Sequence, residues 1–240
     1  MEKAAASSPA QHSRVSQRSK RRAWIEIGVA YALIMAVVWT PRPLQEVLWV
    51  VAAVAIVFML WRSFDGWKAM GLREANLGRS LWIAGAALIL AVAAVVIAAR
   101  MHTLLLPDSP FGFVGTYCAY AIWTGVQQFL LQGFFLLRLL RVIENQRLAA
   151  LAAAALFAAA HVPNPILAPI TLFWGFAACL LFLRYRNLYP LMVAHAILGI
   201  TLAMTIPGPV DHNMRVGLGY LTYRPHMHRH GFWQHRLTQP

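Results

Sequence analysis

The stretch WTGVQQFLLQGFF, residues 123–135, places Gln127, Gln128 and Gln132 in a run otherwise apolar enough to lie in a lipid bilayer. A buried amide without a partner costs roughly 2–7 kcal/mol, depending on the reference state. Three together need an explanation. Either they bind neighbouring helices together, or they are what remains of a reactive site.

The rest of the chain supports the bilayer reading. Of its 240 residues, 60% are hydrophobic and only 12% are charged, and the mean hydropathy is +0.57. A soluble domain of this size cannot hide that much apolar surface, so the class is a polytopic membrane protein. The net charge of +13 is concentrated between the apolar runs and at the two ends. No basic groove interleaved with aromatics is visible, which argues against a nucleic-acid partner. Cys118 and Cys179 both fall inside apolar runs, so neither a disulfide framework nor a CxxC metal site is readable.

Seven apolar segments of near-spanning length predict an all-α, polytopic transmembrane helix bundle. They cover residues 23–40, 44–61, 81–99, 113–137, 148–161, 166–183 and 188–206. The fifth is short and Ala-rich, which suits the bundle interior. Pro41 and Pro43, then Pro163 and Pro165, separate neighbouring helices. Residues 1–22 end in RSKRR and read as a disordered basic arm. Residues 23–206 form the membrane domain, and residues 207–240 form a His- and Arg-rich tail. The segment from Trp61 to Arg79 mixes aromatic and basic residues, as an interfacial amphipathic helix would.

Lys and Arg set the orientation. With the N-terminus inside, the inner loops hold Arg62, Lys68, Arg73, Arg79, Arg138, Arg141, Arg147, Arg184 and Arg186, and the outer loops only Arg42 and Arg100. The expected location is the plasma (inner) membrane with a cytoplasmic N-terminus. The tail fits this less well. Seven spans put it outside, yet it carries Arg215, Arg224, Arg229 and Arg236, so an eighth crossing and a surface-lying tail stay open.

Tyr117, Tyr120, Thr124, Gln128 and Gln132 follow helical spacing and predict one polar stripe, with Gln127 about 100° away. His161 and His195 are intramembrane or near it, where ionisable residues face the bundle interior and mark function. Counting about 1.5 Å per residue puts Gln128, His161 and His195 about 14, about 20 and about 10 Å from the inner face. Three spans thus bring polar groups toward a shared mid-membrane level.

These residues resemble the motifs of the CPBP family, the CAAX-protease and bacteriocin-processing (Abi) intramembrane endopeptidases. That family carries Glu-Glu-x-x-x-Arg, commonly EExxFRG, then Phe-x-x-x-His, then His-x-x-x-Asn, on successive helices. The second motif is Phe157 to His161, the third starts at His195, and Gly133 matches the glycine of the first. The resemblance covers about residues 80–206. It implies an endopeptidase of the CAAX-processing type, in which glutamate and the first histidine activate water while the second histidine and the asparagine stabilise the oxyanion.

The departures fall on the chemistry. Gln127 and Gln128 replace the glutamates, Gln132 the arginine and Gly199 the asparagine. A glutamine amide has nearly the shape of glutamate but takes no proton at neutral pH. Losing a positioned base removes about 10²–10⁴ in rate, and losing an oxyanion donor about 10²–10³. Loss of both charge signs together avoids a buried unpaired charge. The expectation is a weak or inactive endopeptidase homologue that binds a hydrophobic peptide or lipid-modified tail beside membrane lipid.

Two readings from other classes stand beside it. His161 and His195 can be combined as a bis-histidine haem site or a divalent metal site, although two histidines are an incomplete zinc set. The other is a structural subunit of a membrane complex. In the tail, alternating His226, His228 and His230, with His212, His235, Met214 and Met227 nearby, point either to weak copper, nickel or zinc binding or to a basic surface segment on anionic headgroups; the second reading is favoured.

Overall fold

The computed structural model describes residues 9–64, 66–106 and 110–224. Among them, every regular element is helical. The seven apolar segments each form a helix: α1 (Pro9–Trp39), α2 (Leu44–Arg62), α4 (Trp82–Arg100), α5 (Pro110–Phe129), α7 (Gln146–Ala159), α8 (Leu167–Tyr185) and α9 (Tyr189–Thr205). α5 continues through a π-helical stretch (Leu130–Leu136) into α6 (Leu137–Val142). Short helices α3 (Leu77–Ser80), α10 (Gly208–Asp211) and α11 (Gly217–Leu221) complete the order. Among the described residues, four stretches are long and apolar enough to cross a membrane: Gln17–Trp39, Leu44–Arg62, Leu77–Arg100 and Leu167–Tyr185. α7 and α9 are apolar but shorter. Apolar side chains such as Val54, Val57, Ile89 and Leu90 stay exposed on the outside of α2 and α4, as lipid-facing residues do. The fold is a membrane helix bundle.

Small residues set the packing. On α7, Ala149, Ala150, Ala153 and Ala154 are fully buried, and α7 lies against α8. A methyl group on Gly175 of α8 would sit 3.4 Å from Ala154, so the two backbones approach closely. α9 packs on α4 and α5, and α1 on α2 and α6.

Three asparagines start helices, and the two buried ones, Asn164 and Asn187, also hold loops. Asn145 accepts from Arg147 N and Leu148 N at 2.9 and 3.2 Å, capping α7. Asn164 accepts from Ile166 N and Leu167 N at the start of α8, and its amide donates to the carbonyls of Asp211 and Arg215. Asn187 accepts from Tyr189 N and donates to the carbonyls of Arg73 and Ala75.

Two expectations are corrected. The basic arm is helical from Pro9 onward rather than irregular throughout. Its Arg22 pairs with Glu26 one turn later at 2.7 Å, an i,i+4 contact that favours continuing the helix. The segment after Trp61 is not an amphipathic helix. Beyond Arg62 it runs through turns to the four-residue α3, because its backbone is committed elsewhere: Arg73 donates to the Arg186 carbonyl, Asn187 to that of Arg73, and Leu188 N to that of Gly71. The two cysteines are unpaired, Cys118 exposed and Cys179 buried.

One ion pair ties three helices. Arg138 of α6 donates to Glu26 of α1 at 2.7 Å, and to Ser63 Oγ and the Met59 carbonyl at the end of α2. Its guanidinium also lies 3.6 Å from the centroid of Phe134. Arg138 is 3% exposed and Glu26 7%. Removing one partner leaves a buried lone charge, so Glu26→Gln or Arg138→Met is expected to cost about 3–5 kcal/mol, and the double variant clearly less than the sum. Thermal melts of the purified variants in detergent check this; additive losses would mean the pair is not coupled.

Candidate functional site

The stripe on α5 divides into two faces. Thr124, Gln128 and Gln132 are fully buried among neighbouring helices. Tyr120, Trp123 and Gln127 instead line a cavity of about 290 Å³. Gln127, not Gln128, is the glutamine at the cavity. The π-helical stretch marks the change: Leu137 N reaches the carbonyl of Gln132, five residues back, where an α-helix would use the fourth.

Gln128 and Gln132 satisfy each other. Gln128 Nε2 donates to Gln132 Oε1 at 3.0 Å, and Trp174 Nε1 of α8 donates to Gln128 Oε1 at 3.2 Å. Gln132 Nε2 donates weakly to Cys179 Sγ at 3.9 Å. This neutral chain runs from the π-helical stretch to α8. It occupies positions where the resemblance implies a glutamate and an arginine.

His161 and His195 both line the cavity. The carbonyl of Phe157 can only accept, so His161 Nδ1 donates to it at 2.7 Å and Nε2 is the basic nitrogen of the neutral ring. The i,i+4 spacing puts Phe157 beneath His161, with ring centroids 4.8 Å apart; Phe157 also meets His195 edge-on at 5.9 Å. Both imidazoles therefore pack on one aromatic ring. His195 is 7% exposed and its Nδ1 has no hydrogen-bond partner.

Gly199 explains the fate of the asparagine position. A methyl group there would collide with the Tyr120 hydroxyl, so the phenol of α5 fills the space beside α9 that a larger residue needs. Sequence reading placed Tyr120 on the stripe but missed that exchange. It missed also the Trp174 contact and the α1 wall of Tyr31, Ile34 and Val38. No spacing rule reaches across helices so far apart in the chain.

Among the described residues the wall holds no Asp, Glu, Lys or Arg. It does hold hydrogen-bonding groups with spare capacity: the Tyr31 hydroxyl is buried and unpartnered, and Tyr120 and Gln127 form no hydrogen bond with the described residues. A buried polar group without a partner is rare enough to point to bound solvent or ligand. No group of three or more His, Cys, Asp or Glu suited to a metal occurs among the described residues. The two imidazoles and the Gln127 amide give a weak donor set for zinc or haem.

The tail's described part, residues 207–224, covers one end of this cavity. Met214 and Val216 join the lining, Gly217 N donates to the Val162 carbonyl, and Gly217 packs on Val38. Asp211 is buried beneath, and burial pushes its carboxyl above the ordinary carboxylate range, opposed by the N–H groups of Met214 and Asn213. Residues 207–224 form no eighth span, since their two helices are four and five residues long. His226, Met227, His228, His230 and His235 lie outside the described residues.

Residues 110–201 match the family model for type II CAAX prenyl endopeptidases, Rce1-like. Over that stretch the chain is similar to the CPBP, or CAAX-protease, family. The match spans α5 to most of α9, and so contains all three motifs. The α1 wall of the cavity and the tail that covers it fall outside the matched region. No curated protein and no solved structure matches the chain.

Buried amides that satisfy each other make a one-sided charge costly. Gln128→Glu is expected to destabilise by about 3 kcal/mol or more, because Gln132 cannot neutralise a carboxylate. Gln128→Glu combined with Gln132→Arg is expected to recover most of that loss. Melting temperatures of the two variants decide it, and equal losses would show that the pair does not interact.

Proposed function

We propose that this CPBP-family membrane protein binds a hydrophobic or lipid-modified peptide in the cavity and does not hydrolyse it by the glutamate route. The observation that carries the reading is the neutral wall: Gln127, Tyr120, His161 and His195 converge among apolar side chains with no carboxylate among the described lining residues. A charged ligand group would lack a counter-ion there, whereas an internal amide finds both donors and acceptors. The apolar residues around it, among them Leu130, Leu156, Ile170 and Leu202, suit an aliphatic side chain or an isoprenoid. The N-terminus and the basic loops face the cytoplasm in this reading, and the host membrane is the plasma membrane.

One observation favours a second reading. His161 presents a basic Nε2 to a cavity that also holds an unengaged amide, so the imidazole is placed to take a proton from water without a carboxylate. That would be a peptidase with a histidine base.

A fluorescent farnesylated peptide with an amidated end separates them in proteoliposomes. Wild type is expected to bind it without cleavage, and Tyr120→Phe and Gln127→Ala each to weaken binding about three- to tenfold. Gln127→Glu is expected to introduce cleavage about 10²–10⁴ above wild type, dependent on His161. Cleavage by wild type that His161→Ala abolishes would replace the binding reading with the second one.

A further inference from the structure

Away from the cavity, α1 and α2 enclose a groove of about 440 Å³ between the start of α1's apolar run and the end of α2. Its residues change character with depth in the same sense on both helices. On α1, Arg18, Arg21 and Arg22 give way to Ile25 and Val29; on the antiparallel α2, Arg62 gives way to Phe58. From Arg18 to Val29 is eleven residues, or about 16 Å of helix. Charge at one end and hydrocarbon below is the shape of an amphiphile.

The charges are available. Glu26 is the acid in the groove, and both its oxygens are taken, Oε1 by Arg22 and Oε2 by Arg138, each at 2.7 Å. Arg18, Arg21 and Arg62 have no carboxylate partner among the described residues. The Arg62 guanidinium lies 5.8 Å from the centroid of the Phe58 ring, which holds it at the groove wall. The apolar part is equally uncovered, with Ile25 53% exposed, Val29 46% and Phe58 50%.

We propose that this groove binds one anionic phospholipid, its phosphate against Arg18, Arg21 and Arg62 and an acyl chain along Ile25, Val29 and Phe58. A free phosphate satisfies only the arginines, and a zwitterionic lipid brings its own cation to the same place. Only an anionic lipid answers both ends of the groove. The site is separate from the peptide cavity and independent of what that cavity binds. Through Glu26 and Arg138 it touches the ion pair that anchors α6.

The test uses the full-length protein in mild detergent, with native mass spectrometry counting retained lipids and thermal melts reading stabilisation. The probes are phosphatidylglycerol, phosphatidylcholine and inorganic phosphate. Phosphatidylglycerol is expected to be retained and stabilising. The variant Arg18→Gln, Arg21→Gln, Arg62→Gln is expected to bind it about a hundredfold more weakly, about fivefold per arginine. Arg18→Lys, Arg21→Lys, Arg62→Lys is expected to keep most of the binding. Arg79→Gln with Arg184→Gln, exposed residues outside the groove, is expected to behave as wild type. An unchanged melt of the glutamine variant in phosphatidylcholine shows that the fold survives. Equal retention of phosphatidylcholine, full binding by the glutamine variant, or the same stabilisation by inorganic phosphate would each overturn the proposal.

Discussion

A polar group inside this bundle has no water to fall back on, and the rest of the structure is arranged around that constraint. Three solutions recur. Asn164 and Asn187 spend their side-chain oxygens on the free N–H groups at helix starts and their amides on remote loop carbonyls. Gln128, Gln132 and Trp174 form a neutral chain in which donors meet acceptors. Arg138 and Glu26 neutralise each other while Ser63 and the Met59 carbonyl take up further guanidinium donors. Where such solutions are missing, at Tyr31, Tyr120, Gln127 and His195, there is a cavity.

The π-helical stretch links these solutions. It follows Gln127 and Gln128 directly and contains Gln132, and α6 with Arg138 begins where it ends. A widened turn leaves one amide reaching five residues back, and it is retained here between the cavity wall and the ion pair. The same short run of chain therefore carries the first motif, its internal amide pair and the anchor to α1 and α2. Substituting both charges of the motif by glutamine keeps this architecture, since an amide pair fills the same i,i+4 geometry without a desolvated charge.

Much of the architecture was legible beforehand. Apolar runs broken by Pro41, Pro43, Pro163 and Pro165 located seven helices, because helix formation in hydrocarbon depends on local composition and proline stops it locally. The Phe157–His161 spacing and the position of His195 singled out residues that do meet at one cavity. Legibility failed where partners are remote in sequence. The arm's helix and the turns after Arg62 depended on Glu26 and on the Arg73–Arg186 and Asn187–Arg73 contacts.

The amino-acid sequence by itself determined the membrane class, the helix order, the family motifs and their missing charges, since each is written in local composition or fixed spacing. Only the tertiary structure decided that Gln127 rather than Gln128 faces the cavity, that the Tyr120 hydroxyl fills the space at Gly199, and that Tyr31 and Met214 close the walls. Helical periodicity defines faces only relative to one another. Which face meets which neighbour is set by packing between helices far apart in the chain.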